Sequence, residues 1–344
     1  MLLKGRGAKL AHSQSMGTAS KHDAFRILAL SGGGYLGLYT AVVLAQIEQR
    51  LGEPLGRRFD LISGTSVGGL LAMALAFEVP MAAIVDLFST RGADVFSSRR
   101  LPSGAVTRLL DLSRSVMGPK YTGAALRSEL EKHFGHRTLG QALHAVVIPA
   151  VDVSRSVTKV FKTPHVAPSR GDEDIPVIDV TMATCAAPAY FPSVAIGGRL
   201  YADGGLFAVA PDQVAMHEAE HFMQIDPGRI RMVSVGTATA GYQPSEAVDA
   251  QAGAVGWLND GRLILTLISV QQQHVQAIME DRLGARYLRL DARWPADAGL
   301  GIDVATPAAT QTLERLALDT AAAIDDKTLK SFFGTKAGTR EREP

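Results

Sequence analysis

The sequence predicts a three-layer α/β/α fold around a mainly parallel sheet, and three observations carry that expectation. Two short apolar runs, FRILAL before SGGG and FDLIS before GTSVGG, read as buried strands ended by glycine-rich turns. Each is followed by a helical segment, so the chain opens strand–helix–strand–helix, the order of a parallel sheet covered on both faces. No Pro- or Ser-rich linker divides the 344 residues, so one domain is expected over 24–330, between flexible tails at 1–23 and 331–344.

The elements follow in order. Phe25–Leu30 is the first strand. Leu36–Gly52 places apolar residues at helical spacing and ends on a glycine suited to a helix stop. Phe59–Ser63 is the second strand, and LLAMALAF (Leu70–Phe77) is apolar nearly all round, so it must be a buried helix. Residues 89–120 break the pattern. They hold six basic residues (Arg91, Arg99, Arg100, Arg108, Arg114, Lys120) against two acidic ones (Asp94, Asp111), interleaved with apolar side chains, and suit a cap or a membrane-facing segment. A helix is expected near Ala124–Phe134, then two pairing strands in ALHAVVIPAVDV and SVTKVFKT, and a helix near Val177–Cys185. VAIGGRLYADGG reads as a short hairpin, Arg229–Thr237 as a buried strand, Ala254–Leu283 as a helix and Arg286–Leu290 as a last edge strand. A closing helix is expected over Ala308–Leu329.

Composition removes several function classes. A formal net charge of +1 gives no field that would gather a nucleic-acid polymer. A single cysteine, Cys185, rules out a disulfide framework or a multi-cysteine metal site within one chain. Its apolar neighbours mark it as a core residue, and a reducing compartment is the simplest setting. The longest apolar run, Val67–Phe77, is too short to span a bilayer, and the N-terminus lacks the apolar core of a secretory signal. A cytoplasmic protein is expected.

Three motifs carry chemistry, and their order matters. Gly64-Thr65-Ser66-Val67-Gly68 is a G-x-S-x-G between a strand and a helix, a turn that exposes the serine hydroxyl at the sheet edge. Gly32-Gly33-Gly34-Tyr35-Leu36-Gly37 lies in the same setting, and its N–H groups could cradle a tetrahedral oxyanion. Gly32, Gly34 and Gly37 also satisfy the dinucleotide fingerprint G-x-G-x-x-G. That alternative needs an acid at the end of the second strand, where this chain has another glycine turn. Asp203-Gly204-Gly205 follows a short β-like run. Alone it is a common turn pair; beside the other two motifs Asp203 is the candidate base. None of the nine histidines sits in a catalytic motif.

At these residues the chain resembles the patatin-like phospholipases. That family combines a glycine-rich oxyanion loop, a G-x-S-x-G nucleophile and a D-G-G/A aspartate in this order. MATCAAPAYFP (Met182–Pro192) and SVGT (Ser234–Thr237) resemble two further family blocks, so the likeness runs from about Phe25 to Leu290. Leu36 departs from the pattern, which usually has Arg or Lys there; the backbone donors are untouched.

The resemblance implies a patatin-like fold and a Ser–Asp dyad. Ser66 is then the nucleophile, Asp203 the base, and Gly32, Gly33 and Gly34 the oxyanion hole, with Gly37, Gly64, Gly68, Gly204 and Gly205 supporting the turns. It implies phospholipid as substrate, no metal or organic cofactor, and peripheral action on the inner membrane. The likeness to stand-alone bacterial effectors further implies a cyclic dinucleotide activator in antiphage defence. An unregulated housekeeping lipid acyl hydrolase would carry the same motifs, and a homo-oligomer is compatible with either.

Overall fold

The computed structural model describes residues 24–96, 118–169, 171–243, 257, 262–295 and 299–334. Its strands are β1 (Phe25–Leu30), β2 (Leu61–Gly64), β3 (Val146–Asp152), β4 (Val157–Lys162), β5 (Val194–Ile196), β6 (Arg199–Asp203), β7 (Ile230–Val235) and β8 (Tyr287–Leu290). They form one sheet in the order β5-β6-β3-β2-β1-β7-β8, with β4 on β3. The inner part is parallel: β2 and β7 flank β1, β3 follows β2, and β8 follows β7 at the edge. β4, β5 and β6 add an antiparallel flank. β4 pairs along most of β3, so β2 takes the first residues of the opposite edge and β6 the last.

The helices are α1 (Gly37–Leu51), α2 (Val67–Ala76), α3 (Met81–Val95), α4 (Ala124–Phe134), α5 (Val177–Thr184), α6 (Gly205–Ala208), α7 (Asp212–His217), α8 (Arg262–Leu283), α9 (Pro307–Ala322) and α10 (Asp326–Phe333). Alternate residues of a strand face opposite sides of a sheet, and β1 divides its apolar side chains accordingly. Leu28 and Leu30 join a core with α1, α2, α3 and α9, while Ile27 and Ala29 join a second core with α7 and α8. These two cores make the three layers. α2 is buried along its whole length, as its sequence demands.

Several expected boundaries are corrected. α3 runs to Val95 rather than breaking at 89, because Leu87, Phe88 and Val95 are buried along one side. The basic segment is only partly described: Arg91 pairs with Asp94 and Glu129, Lys120 pairs with Asp303, and Arg99, Arg100, Arg108 and Arg114 lie outside the described residues. The closing helix is two helices. Asp325 caps the second by accepting the Thr328 N–H at 2.7 Å. That second helix continues past 330, because Phe332 and Phe333 are buried and Phe333 meets Phe59 edge to face at 5.7 Å.

The parallel register brings two turns together. Leu30 is level with Gly64, so the glycine-rich turn after β1 and the serine turn after β2 leave the sheet side by side. Thr65 ties them by donating its N–H to the Leu30 carbonyl at 3.2 Å.

Candidate active site

Ser66 sits at the turn from β2 into α2 with φ 56° and ψ −127°. A side-chain-bearing residue held there costs on the order of 1–3 kcal/mol and persists only where its surroundings enforce it. Close backbone packing enforces it here. A Cβ on Gly64 would lie 2.0 Å from the Gly68 carbonyl oxygen, and one on Gly68 would lie 2.2 Å from that of Leu30. The Ser66 N–H donates to Thr184 Oγ1 at 2.9 Å, and the Thr184 hydroxyl donates to the Pro149 carbonyl at 2.7 Å. Thr65 anchors the other side by donating its hydroxyl to the Ala208 carbonyl at 2.7 Å.

Asp203 ends β6 opposite Ala150 of β3 and is 5% exposed. Its Oδ1 accepts the Gly205 N–H at 2.7 Å, and the neighbouring Ser66 hydroxyl also favours its charged form. Burial raises its pKa from the ordinary 3.8 to about 6, against the lowering effect of the Gly205 N–H and the Ser66 hydroxyl. The carboxylate is thus ionised near neutral pH and more basic than a solvated aspartate. Gly204 gives the turn its closeness, and Gly205 supplies the N–H that orients the acid.

The oxyanion loop needs one correction. Gly32 donates its N–H to the Val209 carbonyl at 2.9 Å, so it is not an available donor. Among the described residues no acceptor takes the N–H of Gly33 or Gly34, and both residues line the cleft with Ser66. Gly34 has φ 59°, and a Cβ there would lie 2.1 Å from the Ile302 carbonyl oxygen. The N–H groups of Tyr35, Leu36 and Gly37 are taken by the carbonyls of Ile302, Gly33 and Gly34. The start of α1 therefore offers no nest for a pyrophosphate, which counts against the dinucleotide alternative. Leu36, where a basic side chain was absent, is fully buried.

Ser66 and Asp203 share a cleft of about 180 Å³ walled by apolar side chains, among them Leu70, Leu87, Phe88, Leu126 and Phe191. An acyl chain fits such walls. Asp303 adds one polar side chain to the wall, where Tyr121 Oη donates to its Oδ2 at 2.8 Å and Lys120 Nζ lies 2.8 Å from the same oxygen. Cys185 is buried as expected, yet it also lines the cleft; burial, then the Asp203 charge, pushes its thiol well above the usual range. No histidine lines the cleft among the described residues. A larger groove of about 570 Å³ between α1 and α3 contains neither Ser66 nor Asp203.

Sequence reasoning gave no role to Thr184, Thr237, Ile302 or Arg289. Thr184 and Thr237 lay within MATCAAPAYFP and SVGT, so a signal existed. Thr237 donates its hydroxyl to the Gly32 carbonyl at 3.4 Å and packs on Gly33. Arg289 donates to Ser31 Oγ at 3.3 Å, Ser234 Oγ at 2.8 Å and Asp291 at 2.6 Å. No local pattern marks Ile302 or Arg289, because both act through tertiary contact with the glycine loop.

Among the described residues no helix is long and apolar enough to cross a membrane, and no His/Cys/Asp/Glu group could hold a metal ion. The family model of the patatin-like phospholipases matches residues 28–216. A cGAMP-activated phospholipase of Pseudomonas aeruginosa is 37% identical over 84% of this chain and 86% of its own length. Proteins of that name from Vibrio cholerae and Escherichia coli are 31% and 30% identical over 91% and 90% of this chain, and 95% and 92% of their own lengths. With the motifs of the family in order and its model matching more than half of the sequence, the chain belongs to the patatin-like phospholipase family.

Proposed function

We propose that this protein hydrolyses acyl esters of phospholipids through Ser66 and Asp203. The observation that carries the reading is that Ser66 and the buried Asp203 line one apolar cleft together with Gly33 and Gly34, whose N–H groups meet no acceptor among the described residues. Asp203 takes the Ser66 proton as Oγ bonds to the ester carbonyl carbon. The carbonyl oxygen becomes an oxyanion, held by the Gly33 and Gly34 N–H groups; a donor of this kind is typically worth about 3–4 kcal/mol in the transition state. Collapse breaks the ester C–O bond, and Asp203 returns the proton to the departing lysophospholipid oxygen. Water then loses a proton to Asp203 and attacks the acyl-Ser66 ester. Fatty acid leaves, and the proton returns to Oγ.

Activation by a cyclic dinucleotide is the second part of the reading. It is supported by the relatives named cGAMP-activated phospholipase, which align over most of both chains. An enzyme that degrades the host's own membrane needs such a signal, and antiphage defence supplies a reason for one. The groove between α1 and α3 is a poor site for a dianionic activator, since Glu48, Glu53 and Glu78 line it. Peripheral action at the inner membrane follows from a membrane-lipid substrate.

The test is fatty-acid release from phospholipid vesicles by wild type and Ser66→Ala, with and without cyclic dinucleotides. Release by wild type alone, stimulated by a cyclic dinucleotide, is the expected result. Equal release by Ser66→Ala overturns the catalytic reading, and release indifferent to every cyclic dinucleotide overturns the regulatory one.

A further inference from the structure

Four large apolar side chains stand exposed on α6 and α8, two of which, Leu206 and Leu267, line the catalytic cleft. Leu206 is 54% exposed, Phe207 37%, Leu267 44% and Val270 59%. Leu206 and Phe207 belong to α6, immediately after the catalytic aspartate's glycines. Leu267 and Val270 are three residues apart on α8, so they share one face of that helix. The two helices are joined at this point: Gln271 accepts the Val209 N–H at 3.1 Å and donates to the Gly205 carbonyl at 3.2 Å. Leu206 and Leu267 also line the cleft that holds Ser66. The exposed surface is therefore continuous with the acyl-binding wall.

Single exposed apolar residues are ordinary, and Leu143 at 64% exposure is one. A contiguous group that runs into an active site is different, because water meets it at a cost that a partner can remove. We propose that Leu206, Phe207, Leu267 and Val270 form the face that seats this enzyme on a phospholipid bilayer. This rests on the acyl-hydrolase reading, which makes a bilayer the source of substrate. Continuity between face and cleft selects this occupant: a lipid tail drawn from a bilayer seated there passes from one apolar surface to the next without crossing water. The same reading moves the membrane contact away from residues 89–96, where Val95 is buried and Phe96 lines the cleft. Arg91, on that segment, is engaged with Asp94 and Glu129.

Phe207 and Val270 are the residues to change, because neither lines the cleft. The experiment compares the full chain, Phe207→Asp/Val270→Asp and Leu143→Asp in co-sedimentation with vesicles of phosphatidylcholine and phosphatidylglycerol. The Ser66→Ala background keeps the vesicles intact. Leu143 lies just before β3 and donates its N–H to the Ala76 carbonyl, at the far end of α2 from Ser66, and serves as the control. Vesicle hydrolysis and p-nitrophenyl butyrate hydrolysis are measured alongside in the active background. The double variant is expected to lose at least tenfold in vesicle binding and vesicle hydrolysis, and to keep soluble-ester turnover within about twofold; Leu143→Asp is expected to match wild type. Unchanged binding by the double variant overturns the proposal, as does an equal loss in Leu143→Asp. If soluble-ester turnover also falls in the double variant, Val270→Asp alone, on the solvent side of α8, decides by the same criteria. A wild-type dimer converted to monomer by the double variant with vesicle binding retained identifies the face as an interface between copies instead. A wild type that hydrolyses neither ester even with cyclic dinucleotides present defeats the acyl-hydrolase reading, while vesicle binding still reports on the face.

Discussion

Ser66, after β2, and Asp203, at the end of β6, line one cleft, their strands sharing a single edge of β3. They come together because β6 pairs only with the last residues of β3, while β2 pairs only with the first. Asp203 thus stands along the same edge of β3 as the serine turn.

Burial of Asp203 makes activity and stability respond to pH in opposite senses. The base must be ionised, so kcat/KM is expected to fall about tenfold per pH unit below a midpoint near 6. The rise from 3.8 to about 6 corresponds to about 3 kcal/mol of cost for the charged form. The folded state holds this proton more tightly than the unfolded chain. This group's contribution is therefore most favourable below pH 4, declines as pH rises to 6, and stays lower above. Asp203→Asn is expected to abolish ester hydrolysis yet raise the melting temperature by a few degrees at pH 8, with the gain vanishing near pH 4. Melting curves at the two pH values check the sign.

Thr184 holds the serine turn by its backbone rather than by touching substrate. Thr184→Val keeps the shape but leaves the Ser66 N–H and the Pro149 carbonyl without their partner. Such a loss costs about 1–3 kcal/mol in stability. It is also expected to lower kcat by roughly ten- to a hundredfold with little change in KM, since one misplaced hydroxyl affects the chemical step first. Steady-state kinetics with a denaturant titration separates the two effects.

Gly34→Ala places a methyl group against the Ile302 carbonyl at a positive φ. The backbone must shift, and the Gly33 and Gly34 donors move with it. A fall in kcat of at least a hundredfold is expected, comparable to losing one oxyanion donor. Circular dichroism should show the rest of the fold retained.

Arg289 is buried behind the same loop and balanced by Asp291. Arg289→Met leaves that carboxylate uncompensated and is expected to cost about 3–5 kcal/mol. Arg289→Met/Asp291→Asn should recover part of the loss, because the buried charge is gone. Chemical denaturation of both variants measures the difference.

Much of this arrangement was legible in the sequence, for physical reasons. Strands buried on both faces must be apolar runs, so Phe25–Leu30 and Ile230–Val235 stood out. A turn too tight for side chains must be glycine, so the loops around Gly34 and Ser66 stood out as well. Asp203 was weaker, since D-G marks many turns, and it gained meaning only from the two motifs before it. What stayed hidden depends on tertiary contact. Gly32 looked like a donor until Val209 was seen to occupy it. The helix break near Asp325 carried a capping aspartate that the apolar periodicity obscured. The exposed face of α8 reads in sequence as ordinary helix packing.

In the proposed mechanism Ser66 is a nucleophile activated by Asp203. Intact-mass measurement after exposure to a fluorophosphonate, at pH 5 and pH 8, tests it most directly. One adduct on wild type, mapped to Ser66 and forming much faster at pH 8, is the predicted result, with none on Ser66→Ala and a slow reaction on Asp203→Asn. Labelling at another residue, or at equal rate in Asp203→Asn, would contradict it.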